Sequence, residues 1–439
     1  MEIKEYLDEF SKIDCSCGKE HKTCVKDIIV KSRAINDIPI LIKKFNAKKP
    51  FILADVNTFS VAGKTVLEIL DEQNIAYSHY IFNDKYLEPD EKAVGSAIMH
   101  FDNACDLVIG VGSGVINDIG KILAKTAKLP YFIVATAPSM DGYASSTSSM
   151  SMDGLKVSLP SKCADVIIGD IDVLKNAPLK MLQAGLGDML AKYISIAEWK
   201  ISKEIVGEYY CERVADLVRV ALKTCVENAS GLLSRDEVAV KAVFEGLVIG
   251  GVAMAFAGVS RPASGIEHYF SHVFDMRGLE FNSKVDLHGI QCAVATLLCA
   301  KLYEKVLSIT PDKNKALAYA KAFDYTKYKK QLKEFLGKSA DTMIALEKTE
   351  KKYCKRKHKK RLEIILSKWE DIIGIIKAEI PSASEVEKVL TLIGAPKTFK
   401  ELGIDVDLYR TFLATKDIRD KYVLSRLLWD LGETEIFYD

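Results

Sequence analysis

CDLVIGVGSGVINDIGK, residues 105–121, reads as a strand, a glycine-rich turn and the opening of a helix. Cys105–Gly110 is a short apolar run, Gly110, Gly112 and Gly114 punctuate the turn, and Ile116–Ala127 carries apolar residues at helical spacing. The alternation continues on both sides. Upstream, the strand-like runs Phe51–Asp55 and His79–Phe82 are followed by the helical stretches Val61–Glu72 and Asp90–His100; downstream, Tyr131–Ala135 is a fourth strand. Strands of about five residues alternating with longer helices predict a parallel, doubly wound sheet. Ser145–Asp153 reads as a polar loop before a hairpin-like Leu155–Gly169. After Pro178 long helical periods take over, at Leu179–Lys200, Glu208–Ala229, Asp236–Gly258, Ile290–Val306 and beyond. The expected organisation is an α/β domain, residues 1–176, with a Rossmann-like parallel sheet, followed by an all-α domain, residues 177–439.

Over 439 residues, 61 Lys+Arg face 60 Asp+Glu, a formal charge of +1. That balance gives no global field for nucleic acid or an anionic membrane, and 49% hydrophobic residues exclude a disordered chain. The longest charge-free stretch, between Glu245 and Arg261, falls short of the roughly 18 apolar residues of a membrane span, so a buried helix is expected there. MEIKEYLDEF at the start lacks the apolar core of a secretory signal, and ten cysteines are too sparse for a disulfide scaffold. A reduced cytoplasm is the expected home. The basic run Lys351–Arg361 reads as a solvated face. Cys15, Cys17, His21 and Cys24 have spacings open to zinc, the alternative being a plain N-terminal turn.

The glycine turn suits an anion, because unpaired N–H groups and the helix dipole meet there. Val115 stands where the Rossmann fingerprint needs its third glycine, and Gly120-Lys121-Ile122 fails the Walker pattern. A ligand-free turn stays open as a reading. Asp55 ends a strand, where it either accepts hydrogen bonds from a ribose or caps a helix. Of seven histidines, three fall within a short stretch: His268, His272 and His288. The first two share a helix face if the segment is helical, and such density suits a transition metal completed by a carboxylate. Asp188, in an apolar helical stretch, is that carboxylate, or else it pairs with Lys192.

Five ordered motifs, GVGSGVINDIGK (110–121), ATAPSMDGYAS (135–145), AGLGDMLAKY (184–193), PASGIEHYFSH (262–272) and DLHG (286–289), resemble the sn-glycerol-1-phosphate dehydrogenase family. That family lies within the metal-dependent alcohol dehydrogenase and dehydroquinate synthase-like superfamily, and the bacterial arabinose-operon type is the branch most resembled. The resemblance implies the dehydroquinate synthase-like fold and reduction of dihydroxyacetone phosphate to sn-glycerol 1-phosphate. It implies a divalent metal (Zn, Ni or Fe) on Asp188, His268 and His288, with His272 and Asp188 catalytic and Asp141, Asp188 and His272 facing the phosphorylated substrate. It places NAD(H), or NADP(H), along Gly114, Val115, Ile116, Asn117, Asp118, Thr136, Ser139 and Ser145, with Asp55 at the adenosine ribose. A homodimer is implied, with no nucleic acid and no membrane insertion. The rival readings are a glycerol or polyol dehydrogenase, a dehydroquinate synthase-like cyclase, and a noncatalytic nucleotide-binding protein.

Overall fold

The computed structural model describes residues 3–438. Among these, six strands form one parallel sheet: β1 (Asp27–Lys31), β2 (Pro50–Asp55), β3 (Ser78–Phe82), β4 (Leu107–Gly112), β5 (Tyr131–Ala135) and, after the hairpin β6 (Thr147–Met152) and β7 (Leu155–Pro160), β8 (Val166–Asp170). The order across the sheet is β1-β8-β5-β4-β2-β3. The four inner strands are apolar runs buried on both faces, which is why they read as unbroken hydrophobic stretches rather than alternating ones. The chain moves outward from β2 to β3 and then returns to β4 on the other side of β2. That reversal puts the carboxyl ends of β2 and β4, carrying Asp55 and Gly112, side by side at a topological switch point.

The helices that matter below are, in chain order, α1 (Gly114–Ala127), α2 (Leu179–Leu190), α3 (Lys192–Val206), α4 (Glu237–Ala257), α5 (Ile266–Phe281), α6 (His288–Val306), α7 (Lys355–Ser367) and α8 (Leu424–Leu431). The chain forms two compact units. The sheet unit runs through Met189 and also takes Asp216–Val259; the helical unit comprises Leu190–Ala215 and everything from Ser260 onward. In this division α4 returns to the sheet unit. Its docking depends on missing side chains. A Cβ on Gly169 would meet Phe244 Cε1 at 2.2 Å, and one on Gly251 would meet the Asp141 carbonyl oxygen at 2.7 Å. By length and apolarity α4 would suffice to cross a membrane, yet 67% of its apolar 18-residue window is buried inside the protein. It is a core helix.

Several expectations need correction. Leu155–Gly169 is not a hairpin: β7 pairs back with β6 across Asp153 and Gly154, both at positive φ, and Val166–Asp170 is a buried strand of the main sheet. The polar loop expected at Ser145–Asp153 is largely β6, and the edge strand β1 went unforeseen. Leu179–Lys200 is two helices, broken at Ala191. Cys24 is disulfide-bonded to Cys163, so the chain is not all-thiol, and Cys24 is withdrawn from the set with Cys15, Cys17 and His21. The ligand atoms of those three lie within 4.8 Å of one another. His21 is buried, its Nδ1 3.0 Å from the Phe256 carbonyl oxygen.

Candidate active site

In the sheet unit the glycine turn closes onto α1 as tightly as its sequence suggests. A Cβ on Gly112 would strike Ile116 at 2.5 Å, so only glycine permits this entry to the helix. Ser113 is the N-cap and makes no side-chain cap. The first-turn N–H groups of a 14-residue helix therefore stand at the carboxyl edge of the sheet. Asn117 is fully buried; its amide donates to the Gly142 carbonyl at 3.0 Å, and its Oδ1 has no partner among the described residues.

Lys121 is the residue the sequence reading passed over. It is completely buried, pairs with Asp118 at 3.0 Å and donates to the carbonyls of Gly142 and Thr147 and to Ser145 Oγ. One ammonium thus pins the 142–147 segment to α1. The structure brings Gly114, Val115, Ile116, Asn117, Asp118 and Ser145 together through this pin. Thr136 joins them by donating its N–H to the Gly112 carbonyl at 3.1 Å. Ser139 is also buried, between Ala137 and Tyr143.

Asp55 is a helix cap. Its Oδ1 accepts from the N–H groups of Asn57 (2.8 Å) and Thr58 (3.0 Å), and Thr58 Oγ1 accepts from Asp55 N in return. Both backbone bonds fall on one carboxylate oxygen. Asp188 is fully buried on α2, and its Oδ2 accepts from the Asp141 N–H at 2.9 Å, which joins two of the expected substrate residues.

In the helical unit the three histidines do come together. His268 and His272 lie on α5, one turn apart, and His288 opens α6. The rings of His268 and His288 sit 5.0 Å apart at 62°, and His272 stacks toward His288 at 6.0 Å. His268 Nδ1 is 2.7 Å from Glu267 Oε1, and His288 Nδ1 is 2.9 Å from Ser271 Oγ, itself held by Gln291. His268 and His288 each have Nδ1 committed to protein, so Nε2 is the nitrogen each would turn to a metal. The donor set fits such an ion. Cys292, which the sequence reading missed, approaches the same point, its Sγ 3.6 Å from His288 Nε2. The H-x-x-x-C spacing from His288 to Cys292 was its signal.

Behind His268 lies a pair of buried carboxyls. Glu267 Oε1 also accepts from Gly265 N at 2.7 Å, while Oε2 has no partner among the described residues. Glu198 accepts from Ile266 N, Leu424 N and Tyr303 Oη. Burial, then the nearby Glu267 charge, push the Glu198 carboxyl well above the usual carboxylate range. A Cβ on Gly265 would lie 2.7 Å from a carboxylate oxygen of each, so a side chain there would have to displace both carboxyls. The His272 imidazole is held well below the usual histidine value, first by desolvation and then by His288 and His268.

Residues 29–178 match the family of iron-containing alcohol dehydrogenases. Glycerol-1-phosphate dehydrogenase [NAD(P)+] of Geobacillus thermodenitrificans is 30% identical over 309 residues, 69% of this chain and 76% of that protein. The enzyme of the same name from Halalkalibacterium halodurans is 28% identical over 395 residues, 89% of each chain. The chain belongs to the glycerol-1-phosphate dehydrogenase family, among the iron-containing alcohol dehydrogenases. It is an oxidoreductase. Solved structures of glycerol dehydrogenase from Schizosaccharomyces pombe (TM-score 0.55, 16% identity, 88% of this chain and 96% of that one) and maleylacetate reductase from Agrobacterium tumefaciens (0.59, 12%, 95% and 96%) share the fold. As a member of the glycerol-1-phosphate dehydrogenase family, the chain has its histidine cluster and glycine turn where the five motifs put them.

Proposed function

We propose that the chain catalyses reversible NAD(P)H-dependent reduction of dihydroxyacetone phosphate to sn-glycerol 1-phosphate. The carrying observation is the histidine pair with both Nδ1 atoms committed, in a chain related to glycerol-1-phosphate dehydrogenases across most of its length. In this reading residues 1–176 carry the dinucleotide and residues 177–439 the metal and substrate. Asp188, His268 and His288 hold one divalent ion, of Zn, Ni or Fe type, since nitrogen and oxygen donors suit several metals. Bound there, the ion supplies Lewis acidity at the ketone, and the nicotinamide supplies the hydride.

The chain's own groups do the rest. The N–H groups that open α1, with Thr136, Ser139 and Ser145, hold the dinucleotide phosphates, and Asp55 takes the ribose hydroxyls. Asp141 and Asp188 orient the substrate hydroxyl groups. His272, kept neutral by its surroundings, relays the proton that turns the reduced carbonyl oxygen into a hydroxyl. One ketone, one NADH and one proton give one alcohol and one NAD+. A cytoplasmic homodimer completes the proposal. The glycines of α4 lend the dimer no support, being spent inside the sheet unit, as at Gly246 against Cys225.

The test is an absorbance assay of the metal-loaded protein with dihydroxyacetone phosphate, glycerol and a heptulosonate phosphate, with NADH or NAD+ as appropriate. Turnover confined to dihydroxyacetone phosphate supports the reading. Turnover of either other substrate alone contradicts it.

A further inference from the structure

A cavity of about 580 Å³ lies within the helical unit, far from neutral in its lining. Seven cationic and three acidic side chains line it among the described residues. The basic run at 351–361 supplies much of this charge. On α7, Lys357, Lys360, Arg361 and Ile364 follow the i, i+3, i+4, i+7 spacing of one helix face and all border the cavity. His358, Leu362 and Ile365 form the buried face, so the run is not merely a solvated surface.

Arg361 is paired with both carboxylate oxygens of Asp430 at 2.7 Å, but the deeper lysines and Arg426 are under-compensated. Lys352 Nζ is held by the carbonyls of Lys416 and Arg419, and Lys421 Nζ donates to the Ser264 carbonyl at 2.8 Å; neither has a carboxylate among these bonds. Asp417 alone pairs with both Lys416 and Arg426. Lys416 and Arg426 are 6% and 4% exposed, and Arg426 Nη1, its guanidinium against the rings of Tyr353 and Trp429, finds no acceptor among the described residues. Desolvation is the first cause that holds Lys352 and Lys416 down to about 8, and the Arg426 charge adds to it at both. Crowded ammonium groups bonded to neutral carbonyls are what a bound anion would relieve. The remaining wall is apolar, with Ile205, Val206, Ile364 and Tyr422.

We propose that this cavity, which adjoins the histidine cluster where Lys421 lies over the Tyr269 ring, is an anion-binding site distinct from the reaction site, shaped for a small organic phosphate. The phosphate meets Lys352, Lys416 and Arg426, and the organic body lies on Ile364 and Tyr422. The volume suits one small molecule, and the near-zero whole-chain charge argues against a long polyanion such as nucleic acid. The proposal does not depend on which alcohol the enzyme oxidises.

The test is calorimetric titration of the full chain, saturated with NADH, by phenyl phosphate and by inorganic phosphate. The variant Lys357→Glu/Lys360→Glu changes two exposed side chains, and its thermal midpoint checks the fold. Phenyl phosphate should bind the wild type more tightly than inorganic phosphate. The double variant should weaken it by roughly tenfold or more, as expected for reversing two charges at the mouth, with kcat and KM for dihydroxyacetone phosphate unchanged. Absence of binding, equal affinity for the two probes, or unchanged affinity in the variant would overturn the site. A rise in KM parallel to the lost affinity would assign the cavity to the reaction itself and overturn its separateness.

Discussion

Glu267 shows how a single residue can decide the chemistry of its neighbour. Its Oε1 holds His268 Nδ1 and the Gly265 N–H together, so the ring is both oriented and made more basic. Glu267→Gln should keep the shape, lose the charge, and lower metal affinity by ~10–100-fold. Competition with a metallochromic chelator reads this directly, and an unchanged affinity would remove Glu267 from the support of His268. His272 makes the complementary case. It touches the cluster without being one of its three proposed ligands, so His272→Ala should cut turnover and leave metal content near stoichiometric. Loss of the ion would mean the ligands are wrongly assigned. Asp55 is committed to its cap through Oδ1, yet a carboxylate beside a dinucleotide still disfavours a 2′-phosphate. NADH should be preferred by about 1–3 kcal/mol, and Asp55→Ser should shrink that preference chiefly by improving kinetics with NADPH. An unchanged cofactor ratio would take Asp55 out of the cofactor site.

Elements set these residues in place through close backbone approaches. A Cβ on Gly185 would sit 1.8 Å from the Pro138 carbonyl oxygen, so α2 seats against the segment that leads to Ser139 and Asp141. Gly185→Ala cannot be relieved by a side-chain rotation, because the obstacle is backbone. It should cost roughly 1–3 kcal/mol or more, read as a lower denaturant midpoint; wild-type stability would contradict that seating. The α7 cavity carries a pH dependence. Lys352 and Lys416 have folded values near 8, depressed first by desolvation, with Asp417 opposing and Arg426 reinforcing the shift. Between about pH 8 and the ordinary lysine value the unfolded chain holds more protons than the folded one, so stability rises with pH there. Below that window both lysines are charged in both states, and the full cost of burying charge remains. The thermal midpoint should climb from pH 7 to 9, and less so in Lys352→Met. A midpoint that falls equally in both proteins would contradict the assignment.

At the scale of the whole molecule, legibility followed burial. Phe51–Asp55 and Tyr131–Ala135 were readable because a strand covered on both faces must be apolar throughout. Asp27–Lys31, a half-exposed edge strand, gave no such run. The histidine cluster was legible because its members lie close in sequence. Lys121 and Glu267 were not, since a buried charge is recognisable only by partners that are distant or generic, such as the Gly142 carbonyl or the Gly265 N–H. The division into units was hidden for a related reason: α4 reads as helix either way, and only the glycines facing Phe244 and Asp141 reveal where it packs. The basic run looked solvated because its inward face alternates with exposed lysines.

At this scale also, exhaustive chelation should abolish turnover and added Zn²⁺, Ni²⁺ or Fe²⁺ should restore it; full activity of metal-free protein would end the metal assignment. The most direct measurement is the handedness of the product. With dihydroxyacetone phosphate and NADH, the glycerol phosphate formed should be the sn-1 enantiomer, inert to an sn-glycerol-3-phosphate-specific oxidase. Product fully consumed by that oxidase, or no glycerol phosphate at all, would contradict the account.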